Sequence, residues 1–197
     1  MIINKIIQLC KREKRIYLIN NGDSQWLSDG HAVYPMYEMP EFDMDSLLKT
    51  YDISAKKGEK IIKMHVASEN INLNFSDTCP DEVLCEQNPI RIAINGTTYI
   101  QMLTENGCEL LDSKYFAPLA DANEDMVQIY QRTTESGDVY FAVKDGMFLI
   151  ALIQPTLVLN EKTLEELKAF VTRCDVHMKN KTRDKTELIE PDFTASK

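Results

Sequence analysis

Most of the chain's seven glycines stand in turn sequences between short apolar segments. Asn21-Gly22, Asp29-Gly30, Asn95-Gly96, Asn106-Gly107 and Asp145-Gly146 all pair glycine with a residue that tolerates positive φ, the requirement of a two-residue hairpin. Such spacing commits the chain to antiparallel meanders. Between these turns, β-branched and aromatic residues mark strands at 16–19, 25–28, 31–35, 60–66, 70–75, 90–94, 98–103, 109–111, 126–132, 139–143 and 147–153, with 156–159 continuing an edge.

Helical periodicity occurs in fewer places. Ile2, Ile3, Ile6, Ile7 and Cys10 give residues 2–14 one apolar face. A short helix is expected at 44–51, and another at 114–121 capped by Asp112 or Ser113. A longer one, capped by Asn160, is expected over 161–178, with Leu164, Leu167, Ala169, Phe170, Val171 and Cys174 on its apolar side. The predicted fold class is α+β: antiparallel sheets with helices packed on one face. Residues 1–80 form a helix-plus-meander half, 88–160 a second half, 161–179 a C-terminal helix and 180–197 a flexible tail. Ile189 and Phe193 are that tail's only large apolar anchors after Leu188.

Catalytic chemistry is missing from the sequence. There is no G-x-G-x-x-G, Walker-type loop or G-x-S-x-G, so no cofactor or nucleophile is expected. Ser28-Asp29-Gly30-His31 holds three triad residue types side by side, whereas triad members converge from separate parts of a fold. The five cysteines, Cys10, Cys79, Cys85, Cys108 and Cys174, form no C-x-x-C, and His31, His65 and His177 lie far apart, so no metal site is expected. His65 reads as an exposed strand residue. Glu41, Asp43 and Asp45 read as an acidic helix start. Residues 147–153 make a seven-residue apolar run, far short of the roughly 20 that span a bilayer, and the N-terminus lacks the order of a signal peptide. The expectation is a cytoplasmic protein without a membrane partner.

Charge is the one uneven property. The formal net charge is −9, which disfavours non-specific adhesion to nucleic acid. Yet Lys5, Lys11, Arg12, Lys14 and Arg15 face a single acid, Glu13, within the first 15 residues, a local +4 that leaves −13 on the remainder. A basic helix end complements the negative pole of the helix dipole, which is the ordinary explanation of such a cluster.

Residues 109–159, ELLDSKYFAPLADANEDMVQIYQRTTESGDVYFAVKDGMFLIALIQPTLVL, carry a family resemblance. Ser113-Lys114-Tyr115-Phe116 with Leu119, the alternating strand at 127–130, and Leu152-Ile153-Gln154-Pro155 resemble the last repeat of bacterial-type DNA sliding clamps, with Gln154 where the family commonly has Met. The chain has room for two such repeats where a bacterial clamp subunit has three, and a phage or mobile-element version would suit that size. The resemblance implies two repeats related by a pseudo-twofold axis, helices on one sheet face, and DNA phosphates met by bases on those helices. Lys5, Lys11, Arg12, Lys14 and Arg15 are the candidates, with Lys114 on the second helix. The competing reading is a protein-protein interaction module, an adaptor or inhibitor with an acidic surface, anchored through Trp26, Tyr34, Met36 and Tyr37. Neither reading specifies an oligomeric state.

Overall fold

A computed structural model describes residues 2–22, 24–53, 60–104, 107–123, 125–156 and the backbone of 161–187, with side chains for 162–179 in the last segment. The edge expected at 157–159, the Asn160 cap, part of the turns at Asp23 and Glu105-Asn106, and the tail beyond 187 with Ile189 and Phe193 lie outside the described residues. The chain divides into two units, Met1–Thr156 and Leu157–Lys197.

The first unit opens with α1 (Ile3–Glu13), then β1 (Arg15–Asn21), β2 (Ser24–Ser28), β3 (Ala32–Pro35), α2 (Met44–Thr50) and β4 (Ile62–Ala67). It continues with β5 (Val83–Leu84), β6 (Glu86–Ile94), β7 (Thr97–Thr104), β8 (Gly107–Asp112), a 3-10 helix at Ser113–Leu119, β9 (Val127–Thr133), β10 (Val139–Asp145) and β11 (Phe148–Ile153). Eight strands form one sheet in the order β4-β1-β2-β3-β11-β10-β9-β5, and three form another, β6-β7-β8. Among the described residues, only the β1–β4 pairing is parallel. The second unit holds α3 (Glu161–Glu187), so the helix continues past the residue where its sequence periodicity ends. The protein is therefore α+β. Among the described residues, no helix is long and apolar enough to cross a membrane.

The large sheet is a doubled arrangement. A helix precedes the meander β1-β2-β3, and the 3-10 helix precedes the meander β9-β10-β11. The two third strands meet antiparallel at the centre, Val33 opposite Leu152 and Ala32 opposite Ile153, extended by the Gln154 amide donating to the His31 carbonyl at 3.0 Å. Strand alternation divides the buried side chains between two faces. Leu18, Leu27, Phe141 and Val143 share a core with Ile6, Ile7 and Cys10 of α1 and Tyr115 and Leu119 of the 3-10 helix. Ile19, Trp26, Val33, Tyr140, Ala142 and Leu149 point to the opposite face. Both helices thus cover one face, and they run antiparallel: the Ile2 amide donates to the Pro118 carbonyl at 2.9 Å, while Glu13 meets Lys114 at the other end.

Several local expectations change for identifiable reasons. The segment 113–119 is a 3-10 helix rather than an α-helix, because Pro118 has no amide to complete an α-helical ladder. Asp112 caps it, its Oδ1 accepting from the Lys114 amide at 3.0 Å. β6 begins at Glu86, ahead of its expected start, with its register broken between Gln87 and Arg91, where Pro89 cannot donate to β7. Residues 70–75 are not a strand. After a 3-10 turn at Ser68–Asn70 they lie across the second sheet face, with Ile71, Leu73 and Phe75 packed on it and the Phe75 and Trp26 rings 5.2 Å apart edge-on.

Arg132 holds that strap down. Its side chain is fully buried, and every guanidinium nitrogen donates: Nη1 to the carbonyls of Asn74 and Ser76 at 2.9 and 3.0 Å, Nη2 to Asp77 at 3.4 Å, and Nε and Nη2 to Glu82 Oε2 at 2.9 and 2.7 Å. Lys144 donates to the other Glu82 oxygen. Desolvation pushes the Glu82 carboxyl upward, but the hydrogen bonds from Lys144 and Arg132 outweigh it and hold the group below its ordinary 4.5. A lowered folded value means the pair's stabilisation is complete above the unfolded value and is lost as pH falls through the folded one. Arg132→Met is expected to lower unfolding stability by about 3–5 kcal/mol in urea titration, because Glu82 Oε2 and three carbonyls lose their donor. The stability difference between wild type and Glu82→Gln is expected to shrink as pH drops below about 4.5; a difference constant down to pH 3 would contradict this account.

Candidate nucleic-acid interface

The apolar face of α1 is buried at Ile6, Ile7, Leu9 and Cys10, which turns Lys5, Lys11 and Arg12 to solvent. Lys5 and Arg12 are seven positions apart, two turns along one line of the helix. The helix ends at Lys14, whose φ of 55° is left-handed and whose amide donates to the Cys10 carbonyl. A residue other than glycine seldom holds this conformation, and it reverses the chain directly into β1. Lys14 and Arg15 therefore stay beside Lys11 and Arg12 instead of moving away along a loop. All five side chains are exposed. Lys11 donates to the Tyr51 carbonyl at 3.1 Å, and Arg12 lies 3.5 Å from Glu13 on the surface. Among the described residues, Lys5 and Arg15 have no ion-pair partner.

Lys114 is placed differently. It is partly buried between Glu13 at 2.9 Å and Asp112 at 3.1 Å, with its ammonium 4.7 Å from the centre of the Tyr115 ring. Burial alone would favour the neutral amine, but the bonds to Glu13 and Asp112 override it and push the group above its ordinary range. Glu13 responds in the opposite sense: desolvation raises it, and the Lys114 hydrogen bond brings it below its usual value. The Lys114 charge is thus already neutralised within the fold, and it joins α1 to the 3-10 helix.

The Ser28-Asp29-Gly30-His31 sequence is turn chemistry. Ser28 Oγ accepts from the Gly30 amide at 2.9 Å, and Asp29 Oδ1 accepts from the amides of His31 and Ala32 at 2.9 and 3.0 Å. Gly30 has φ +96°, and a Cβ there would lie 3.2 Å from the Tyr17 ring. Asp29 is buried, and its Oδ2 has no hydrogen-bond partner among the described residues. Burial first, and then this carboxylate, push the Cys10 thiol and the Tyr34 hydroxyl far above their usual ranges, so both stay protonated. The Tyr34 hydroxyl donates to the Tyr115 carbonyl at 2.7 Å, a second tie between the halves. Asp43 caps α2, its Oδ1 accepting from the Ser46 amide at 2.7 Å. His65 is exposed on β4. No three His, Cys, Asp or Glu side chains gather as a metal-binding set among the described residues.

Of the expected protein anchors, Trp26, Tyr34 and Met36 are buried, and only Tyr37 is exposed. The feature absent from the sequence reading is a cavity of about 300 Å³ on the sheet face away from the helices. Tyr17, Val33, Met64, Ile71, Leu73 and Leu152 supply apolar walls, and His31 stands at its margin. It forms because the strap crosses the sheet without pairing to it. The alternation of Ile71, Leu73 and Phe75 was its only local signal, and strands share that signal.

Comparison of the chain with family models, with curated proteins and with solved structures finds no match.

Lys114 and Lys5 should separate structural from solvated charge. Lys114→Met is expected to destabilise the fold by about 1–2 kcal/mol, since two carboxylates lose a charged donor. Lys5→Glu should stay within about 0.5 kcal/mol of wild type in chemical denaturation.

Proposed function

We propose that this protein is a non-enzymatic, clamp-like binding module that associates with duplex DNA through phosphates, irrespective of sequence. The observation that carries the reading is the group of five exposed cations on α1 and its exit into β1, in a chain otherwise strongly acidic. A cationic patch of that kind attracts phosphate by releasing counterions, while the acidic remainder repels DNA from other approaches. The doubled helix-and-meander sheet, with both helices on one face, supports the same reading because it is the architecture that the clamp resemblance implies. Lys114 contributes by holding α1 in place, its own charge being compensated by Glu13 and Asp112.

A second reading, a protein-protein interaction module, is favoured by the apolar cavity between strap and sheet. An apolar side chain of an extended protein segment would fit its walls, with the acidic surface drawing in a basic partner.

Fluorescence anisotropy with a labelled random-sequence duplex tests the first reading. The binding constant should fall with salt at a log-log slope of about −3 to −4.5, as expected for three to five phosphate contacts. Charge reversal at Lys11, Arg12 and Arg15 together should remove the binding. Affinity unchanged by that triple reversal would eliminate the patch. No binding at low salt, with a native complex that is lost on Met64→Glu, would favour the second reading.

A further inference from the structure

Helix α3 bears a seam of apolar side chains that are exposed to solvent among the described residues. Leu164, Leu167, Val171, Cys174 and Met178 follow one another at steps of three, four, three and four residues, and all are exposed, Val171 to 63% and Met178 to 64%. A straight α-helix drifts away from such a repeat. The repeat keeps to one line when the helix winds slightly around another helix, which makes these the a and d positions of a two-stranded coil. Lys168 and Asp175 then occupy e positions, and Phe170 and His177 occupy g positions.

Those flanks decide the partner and its direction. In a parallel pair of identical helices, g faces the next e, which would set the Phe170 ring against the Asp175 carboxylate. In an antiparallel pair, e faces e and g faces g. Lys168 then meets Asp175 of the second copy, and Asp175 meets its Lys168, so one symmetric contact supplies two opposite-charge pairs. Phe170 lies beside His177 of the second copy. The same register stacks Leu167 on Met178 and Val171 on Cys174, each twice, giving four apolar layers. Asp175 already accepts from Lys179 at 2.7 Å on its own helix, and its carboxylate has acceptor capacity for both lysines.

We propose that α3 pairs antiparallel with α3 of a second copy of this chain. The seam from Leu164 to Met178 is about 21 Å long at about 1.5 Å per residue, so the pair is short and its formation depends on protein concentration. It is independent of the DNA reading.

Sedimentation equilibrium of the full chain over a wide concentration range is the test. Wild type should show a monomer–dimer equilibrium, and Val171→Glu should remain monomeric. Lys168→Glu replaces two attractions by two repulsions and should weaken dimerisation about tenfold. Combining it with Asp175→Lys swaps the charges and should restore the constant to within about threefold of wild type. Lys168 and Asp175 lie two turns apart on one helix, so rescue by the swap reports contact between copies. A chain that is monomeric throughout, a dimer that survives Val171→Glu, or a charge swap without rescue would each overturn the proposal. Circular dichroism of every variant checks that α3 remains helical.

Discussion

The buried guanidinium of Arg132 is the constraint around which the large sheet is arranged. A permanently charged group with five donors is tolerated inside a protein only when its donors are met. Here they are met by Glu82 and by three carbonyls of one segment, which fixes that segment against the sheet. The Leu149 amide reinforces the attachment by donating to Asp77 at 2.8 Å, and the Asn74 amide does so by donating to the Tyr140 hydroxyl at 3.0 Å. Once the strap is in place, Trp26, Val33 and Leu152 are shielded on one face while α1 and the 3-10 helix shield the other. The centre of the sheet can therefore be apolar on both faces, which explains why its strands read as near-continuous hydrophobic runs.

Charge in this protein serves two distinct purposes. Glu82, Arg132, Lys144, Glu13, Asp112 and Lys114 are consumed in joining parts of the fold that lie far apart in sequence. The cations of α1 and of the first residues of β1 remain at the surface, and they stay clustered because Lys14 turns the chain back within a single residue. Formal charge does not distinguish these classes; burial and partners do.

Legibility in the sequence followed the range of the interactions. Hairpins were readable because turn chemistry is local: Asn95 and Gly96 adopt φ values of 51° and 79°, as an Asn-Gly turn requires. α1 was readable from its apolar period. The strap was misread because Ile71, Leu73 and Phe75 alternate as a strand would, and nothing nearby says that they cover a sheet instead of extending it. β5 is two residues long and gives no period. Arg132 could be assigned to a strand, but the groups that bury it lie some fifty or more positions earlier in the chain. Lys114 looked available for phosphate because its partner Glu13 is 101 positions away. Pro118 was a visible signal against a regular α-helix at 114–121.

The central seam between β3 and β11 has a bearing on biosynthesis. β3 ends at Pro35 and β11 begins at Phe148, so the ribosome must add more than a hundred residues before β3 acquires its second neighbour. At about 5–20 residues per second this interval is on the order of ten seconds. Until then, Ala32 and Val33 lack the strand that pairs with them in the complete fold, and an open apolar edge is a template for pairing with the wrong chain. That edge is closed only when β11 pairs with β3.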